Sequence, residues 1–170
     1  MAEPELETER LRLRQFCESD LDAYARITGD AETMRFIARG QAYDRDEAWR
    51  SLGYLRGHWQ IRGYGLWAAE EKQSGALIGR IGLYRPEGWP GLEVGWLVAR
   101  ERWGEGFATE GARAALEYAF AVLREPRAIS AIAPENAASI RVAEKLGLRY
   151  GETRQIAGRP VSIYEIFNSR

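Results

Sequence analysis

Residues Arg102–Phe120 have the sequence RWGEGFATEGARAALEYAF. Gly104 and Gly106 stand one residue apart, directly before a segment whose alanines and leucines recur at helical spacing. This spacing predicts a helix over residues 105–123 that lies close to a sheet on its alanine face. The free N–H groups and partial positive charge at its first turn form an anion site, which the glycines leave open. The pattern therefore predicts a phosphate group at the mouth of this helix, with Arg102 adding a positive charge.

A single G-x-G is a weak signal, and a tight corner between strand and helix explains the two glycines equally well. Two more specific phosphate motifs are absent. No Gly-Lys-Ser/Thr follows the glycines, as a P-loop requires, and Thr109 stands where a dinucleotide fingerprint needs its third glycine. Nucleotide binding at the helix mouth is therefore disfavoured, and competition by ATP would revive it.

The composition predicts one globular domain over residues 1–170, because 170 residues with 45% hydrophobic content bury one sizeable core. The net charge is −1, from 24 basic and 25 acidic residues, so we expect neither nucleic acid nor an anionic membrane as partner. Cys17 and His58 are the only residues of their types, so we expect no disulfide framework and no metal site. No apolar run approaches the ~20 residues of a membrane span. We therefore expect a cytoplasmic protein, with Cys17 a free thiol and His58 a packing residue.

The first third of the chain predicts one strand and two helices. Residues 11–16 alternate as a strand does, and residues 18–27 and 44–62 each begin with acidic residues and continue at helical spacing. On the second helix, an apolar stripe should face the core; it contains Trp49, Leu52, Leu55 and Trp59. Residues 30–43 show no clear periodicity.

The rest of the chain predicts a mixed sheet. Three strand-like segments at 65–71, 76–84 and 91–99 are separated by turn residues, which indicates an antiparallel meander. Residues 128–133 predict a strand parallel to residues 91–99, because the predicted helix connects the two. A last helix ending at Gly147 and a hairpin around Ala157-Gly158 complete an α+β fold of six to seven strands and about four helices.

These segments together resemble the acetyl-coenzyme A core of the GNAT superfamily of N-acetyltransferases. The residues that carry the resemblance are GLEVGWLVA, ERWGEG, FATEGARAALEYAF and PENAASIRVAEKLGLRYGE. The opening ETERLRLRQFCESD, with ETMRFI, resembles the branch that acetylates ribosomal-protein alanine (Rim-type). The likeness extends in order from about Leu6 to Phe167 and implies a twisted, mostly antiparallel sheet whose central parallel pair splays apart.

The resemblance implies where acetyl-coenzyme A binds. The splayed strand around Gly95–Val98 would receive the pantetheine arm, with a backbone N–H near Leu97 polarising the thioester carbonyl. Asn136 would contact the pantetheine, and the turn amides would hold the pyrophosphate. The full set of residues predicted to bind the cosubstrate is Trp96, Leu97, Val98, Arg102, Gly104, Glu105, Gly106, Phe107, Ala108, Thr109 and Asn136.

Acetyl transfer to an amine needs a base for the amine and a proton for the leaving thiolate. Glu93 stands in an apolar strand and shares a face with Gly95 and Leu97, so burial should raise its pKa towards that of a useful base. Relatives carry a base glutamate at the matching position. The alternative is a Glu93 that faces solvent or pairs with an arginine.

The acid is predicted at Ser139. Many relatives use a tyrosine where this chain has Ala143, and the Rim-type branch is similar to this chain in placing a serine near the sulfur. Ser139 is also the third residue of a helix capped by Asn136, so capping alone explains the same spacing. Tyr164 on the last strand is a weaker substitute.

The acceptor is expected to be a primary amine, either a protein N-terminus or a small molecule. The resemblance implies that residues 28–43 and the hairpin at 154–160 wall its cleft, where Arg35, Arg39, Arg154 and Arg159 would favour an anionic acceptor. Trp89, in a turn, is a further candidate for this wall or for a subunit contact. A homodimer is compatible with the sequence. The alternative function is a non-catalytic acyl-coenzyme A sensor or partner module.

Overall fold

A computed structural model describes residues 3–169. Its centre is one eight-stranded sheet with the order β1-β2-β3-β4-β5-β6-β8-β7. Neighbouring strands run antiparallel except β5 and β6, which are parallel. The strands are β1 (Leu6–Glu7), β2 (Leu11–Arg14), β3 (Leu66–Glu71), β4 (Leu77–Tyr84), β5 (Glu93–Val98), β6 (Arg127–Ile132), β7 (Arg149–Ile156) and β8 (Arg159–Phe167).

Five α-helices cover the two faces of the sheet: α1 (Leu21–Thr28), α2 (Ala31–Met34), α3 (Arg45–Arg62), α4 (Phe107–Ala121) and α5 (Ala137–Lys145). Their ends follow the local sequence. Asp44 caps α3 by accepting from the Glu47 amide, and Gly63, at φ +75°, ends it in the left-handed conformation. Asn136 caps α5 in the same way, through the Ser139 amide.

The helix of the quoted stretch packs tightly against the sheet because its inner face is built of very small residues. Ala112, Ala115 and Ala119 are fully buried. A Cβ added to Gly111 would lie 2.6 Å from Cδ1 of Ile81 on β4, so only glycine fits there without movement. This close approach brings the first turn of α4 to the edge of the sheet.

Two apolar clusters occupy opposite faces of the sheet. The first joins Val94 and Val98 of β5 to α4 and to Ala143 of α5. The second joins Leu66 and Leu97 to the residues of α1 and α3. Alternation along β5 therefore divides its side chains between a face covered by α4 and α5 and a face covered by α1 and α3.

The predicted class, the meander, the parallel pair and the closing hairpin are confirmed. The sheet has eight strands rather than six to seven, because the two-residue β1 is too short to show a pattern, and α2 likewise adds a four-residue helix inside the irregular segment. The predicted helix 105–123 is shorter at both ends, as α4. The prediction for Trp49 is wrong, since it is 58% exposed and only the rest of its stripe faces the core. No helix within residues 3–169 is long and apolar enough to cross a membrane.

Candidate active site

The turn before α4 is a row of unused backbone donors. Gly104 and Gly106 have φ angles of +78° and +84°, which glycine adopts without strain. The helix makes its first internal bond from the Glu110 amide to the Gly106 carbonyl, at 3.0 Å. Within the described residues, the backbone amides from Gly104 to Thr109 have no acceptor, so the turn has the donors that a phosphate group needs.

The cations around this turn already have carboxylate partners. Arg102 Nη2 lies 2.7 Å from Oε2 of the buried Glu71, and Nη1 lies 3.5 Å from Glu105. Arg10, which was not among the predicted site residues, donates to the Glu105 carbonyl at 2.9 Å and to Glu110 at 2.7 Å. These arginines fix the shape of the turn, and the backbone amides remain its unpaired donors.

Strands β5 and β6 are paired over a short distance and then separate. Their only register pair is Glu93 with Ile129, where Ile129 donates to the Leu92 carbonyl at 2.8 Å. On the other edge of β5, Ala99 donates to Ile78 of β4 at 2.8 Å. Because hydrogen-bonding directions alternate along a strand, even-numbered residues of β5 point their amides towards β6 and odd-numbered ones towards β4.

This alternation identifies the amide that faces the gap. The Leu97 N–H points to β4, where Leu97 is paired with Arg80. The amides of Trp96 and Val98 point towards β6, beyond the last register pair. The donor expected near Leu97 is therefore best supplied by Trp96, which is the first unpaired amide past the point where the strands separate.

Two side chains replace the next rung of the parallel ladder. Regular pairing would join the Ala131 amide to the Val94 carbonyl. Instead, Ser130 Oγ donates to the Val94 carbonyl at 2.6 Å, and the Ala131 amide donates to Glu93 Oε1 at 3.3 Å. Ser130 is 1% exposed. We call Ser130 and Glu93, with these two bonds, the fork clasp. It lies at the root of the gap, and the sequence did not indicate Ser130.

Glu93 lies on the α1/α3 face with both carboxylate oxygens engaged. Oε2 accepts a 2.7 Å hydrogen bond from the Trp89 indole, and Oε1 takes the Ala131 amide. Burial raises the pKa of Glu93 to about 7, against the lowering effect of these two donors and of the Arg80 charge. The predicted rise is thus present, and the carboxylate keeps lone pairs for a further proton.

Aromatic rings flank Glu93 on this face. Tyr84 is its cross-strand neighbour on β4, and the Tyr84 and Trp89 ring centroids are 5.4 Å apart. His58 stacks on Tyr84, accepts the Arg85 amide at Nε2, and places Nδ1 2.9 Å from the Tyr64 carbonyl. Burial lowers the pKa of His58. Both ring nitrogens are therefore used, and His58 is the packing histidine that the sequence predicted.

Ser139 lies on the opposite face of the sheet, where α5 begins. Its Oγ accepts hydrogen bonds from Asn136 Nδ2 at 3.0 Å and from the Trp96 indole at 3.2 Å. A hydroxyl oxygen has two lone pairs, so both are occupied and its proton is left to donate elsewhere. The Trp96 contact also joins β5 to the element after β6, on the far side of the gap.

The segments predicted to wall the acceptor are in contact. Arg159 at the β7–β8 hairpin donates to the Arg39 carbonyl at 2.7 Å. The side chains of Arg39, Arg35 and Arg154 pair with nearby glutamates. The arginines expected to attract an anion are therefore already engaged. No cluster of three or more potential metal ligands occurs among residues 3–169.

Comparison with known proteins agrees with this geometry. Residues 10–149 match the family described as acetyltransferase (GNAT) domain. The protein YkkB of Bacillus subtilis (strain 168) is 34% identical over 171 residues, covering 96% of each chain.

Solved structures share the fold. An acetyltransferase from Agrobacterium tumefaciens str. C58 superposes with a TM-score of 0.82 at 28% identity, over 98% of this chain and 95% of that one. Mycobacterium smegmatis RimJ, a Rim-type protein solved in complex with CoA-disulfide, gives a TM-score of 0.78 at 21% identity, over 98% and 90%. The fold, the open turn, the forked strands and the family match agree, and the chain belongs to the GNAT family of acetyl-coenzyme A-dependent acetyltransferases.

Proposed function

We propose that this protein is an N-acetyltransferase that moves the acetyl group of acetyl-coenzyme A to a primary amine by direct attack in a ternary complex. The observation that carries the proposal is the placement of Glu93 and Ser139 on opposite faces of the same strand gap. A base on one side and a proton donor on the other suit a reaction in which amine and thioester approach from different faces.

The chain has donors suited to the cosubstrate along one path. The free amides from Gly104 to Thr109 would hold the pyrophosphate, and the gap beside Trp96 would receive the pantetheine, near Asn136. Bound acetyl-coenzyme A supplies the acetyl group as a thioester. The Trp96 amide, fixed by the strand, would polarise the carbonyl as a single-donor oxyanion hole.

Glu93 is the proposed base. Its pKa of about 7 leaves a substantial fraction ionised at neutral pH while keeping it basic enough to accept a proton from an attacking amine. As the C–N bond forms and the C–S bond breaks, the nitrogen loses one proton to Glu93, directly or through water. Trp89 and the Ala131 amide hold the carboxylate in place during this transfer.

Ser139 is the proposed donor to the departing thiolate. Because Asn136 and Trp96 occupy its lone pairs, its O–H is free only to donate, which suits an anionic sulfur. The thiolate takes a proton through this contact, and solvent restores the hydroxyl. Tyr164 lies on β8 opposite Ser130 and is partly buried against the core, which favours a packing role.

The proposed acceptor is either a protein N-terminal α-amine or a small amine. The ordinary pKa of an α-amine, about 7.7–8.0, is closer to the pKa of Glu93 than that of a lysine, about 10.4. Glu93 therefore deprotonates an α-amine at a lower free-energy cost. Acetylation of an α-amine is therefore favoured over that of a lysine side chain.

The rival function is a sensor that binds acyl-coenzyme A without transfer. To separate the two, acetyl-coenzyme A binding is measured by calorimetry, and thiol release is followed with a panel of amines and N-terminal peptides. Release that depends on an amine, and falls about tenfold or more in Ser139→Ala with binding retained, supports the transferase. Tight binding with no release for any acceptor supports the sensor, and absence of binding contradicts both.

A further inference from the structure

The side chain of Arg80 is the one partly buried arginine side chain that makes no hydrogen bond or ion pair within residues 3–169. The other arginines without such a bond are all exposed: Arg26, Arg124, Arg141 and Arg149. Nor does Arg80 lie over an aromatic ring, as Arg10, Arg35 and Arg127 do. Its guanidinium nitrogens still reach solvent, since Nε2 of Gln15 is the only fully buried side-chain nitrogen or oxygen without a partner within residues 3–169. A half-buried, unpaired guanidinium is available to bind an anion that enters from solvent.

The sheet register places Arg80 on the acceptor face. Arg80 stands opposite Ala68 on β3 and Leu97 on β5, and both neighbours belong to the cluster covered by α1 and α3. The register between β4 and β5 then runs without a break to Tyr84 opposite Glu93. Tyr84 is four positions after Arg80, about 13 Å along the strand, so both lie on one face.

The electrostatic reach of Arg80 agrees with this placement. Burial raises the pKa of Tyr43, Tyr84 and Glu93, and in each case the Arg80 charge acts in the opposite direction. Tyr43 ends the segment predicted to wall the acceptor. Arg80 therefore faces the space between that wall and the proposed base, while the arginines of the wall itself are already paired.

We propose that Arg80 binds a carboxylate of the acceptor, so that the substrate is a small primary amine that carries a carboxylate, with its amine at Glu93. This inference rests on the proposed acetyl transfer and narrows its acceptor class. The guanidinium fork matches a carboxylate in two parallel hydrogen bonds, which also fixes the orientation of the amine. An unmodified protein N-terminus has no carboxylate fixed close to its amine and would leave Arg80 unpaired.

The test uses amino acids paired with their amides, which differ in the carboxylate alone. Thiol release from acetyl-coenzyme A is measured for a panel of such pairs with wild type, Arg80→Gln and Arg56→Gln. We expect the wild type to acetylate the acid, and Arg80→Gln to raise KM for the acid by about tenfold or more, with kcat and the amide's KM little changed. Arg56→Gln is the matched control, since Arg56 is also half-buried but is already paired with Glu3.

Comparing the acid-to-amide ratio between variant and wild type cancels the different basicity of the two amines. An unchanged ratio in Arg80→Gln overturns the inference, and so does a wild type that acetylates only amides. Weaker acetyl-coenzyme A binding in Arg80→Gln would assign Arg80 to the cosubstrate instead and also overturns it. If no amine releases thiol, acetyl transfer itself has failed, and calorimetry of the same acid and amide on the coenzyme-loaded protein still decides whether Arg80 binds the carboxylate.

Discussion

The two ends of the proposed site use different kinds of chemical group, backbone amides at one end and side chains at the other. At the mouth of α4, the donors are backbone amides of six consecutive residues, Gly104 to Thr109, shaped by two left-handed glycines. At the root of the strand gap, the functional groups are side chains held by partners far along the chain, such as Glu93 by Ala131 and Ser139 by Trp96. The backbone end therefore depends on its two glycines and on the arginines that fix the turn, whereas the reaction centre depends on side-chain partners from distant segments.

Substitution of the proposed base should reduce activity more than any other change considered. Glu93→Gln keeps the size of the side chain and removes the base, so kcat should fall by roughly a hundredfold to ten-thousandfold while acetyl-coenzyme A binding stays near wild type. Wild-type activity should rise with pH through about 7, because the carboxylate must lose its proton before it acts as base. Steady-state kinetics across pH 5–9 measure both effects, and a profile in which Glu93→Gln keeps the wild-type rise would remove Glu93 from the role of base.

Although Glu93→Gln should lower activity, it should raise stability relative to the wild type at high pH. A pKa raised on folding means that the folded state prefers the protonated carboxyl, so wild-type stability is full below the unfolded pKa and declines as pH rises through about 7. The side chain in Glu93→Gln does not titrate. The melting temperature of the variant, relative to that of the wild type, should therefore be higher at pH 8 than at pH 5. If the difference in melting temperature between variant and wild type is equal at both pH values, burial does not raise the pKa of Glu93.

The backbone end is tested by Gly104→Asp. A carboxylate beside the pyrophosphate adds repulsion of a few kcal/mol, since two unit charges 4 Å apart interact by about 4 kcal/mol near a protein surface. Acetyl-coenzyme A affinity should fall by roughly a hundredfold to a thousandfold, measured by calorimetry. The matched control is Gly63→Asp, at φ +75° with open space around it, as at Gly104, but at the end of α3. Equal losses in both variants would assign the effect to the backbone and not to the site.

A smaller effect is expected from Trp89→Phe, which keeps an aromatic ring and removes the donor to Glu93 Oε2. A hydrogen bond to the ionised carboxylate lowers its pKa, so its loss should raise the midpoint of the pH–rate profile by about one unit. Trp49→Phe is the control, since Trp49 is exposed on α3. A midpoint that stays in place, or that moves downward, contradicts the role given to Trp89.

This contrast also explains how much could be predicted from the sequence. The glycine turn, α4 and the antiparallel meander depend on neighbouring residues, and their patterns were visible. The raised pKa of Glu93 could be predicted because alternation within one strand indicates its burial. Trp89, Ser130 and Arg80 were not assigned these contacts, because each depends on which strands pair and in which register. The predicted burial of Trp49 was wrong for a related reason. Helical spacing indicates which side chains share a face of the helix, but it does not show how far along the helix that face is covered by the rest of the protein.

The smallest effect is expected at the fork clasp, from Ser130→Ala. The variant leaves the Val94 carbonyl buried without its 2.6 Å donor, a loss of about 1–3 kcal/mol that the strands can reduce by closing the gap into a regular ladder. Closure would move the Ala131 amide from Glu93 to Val94 and narrow the space beside Trp96. We therefore expect KM for acetyl-coenzyme A to rise several-fold. A loss of stability that left the gap unchanged would not raise KM. Ser51→Ala, which loses a 2.9 Å side-chain bond to Tyr24 between α1 and α3, serves as control. If both variants lower the melting temperature alike and neither changes KM, Ser130 stabilises the fold without setting the width of the gap.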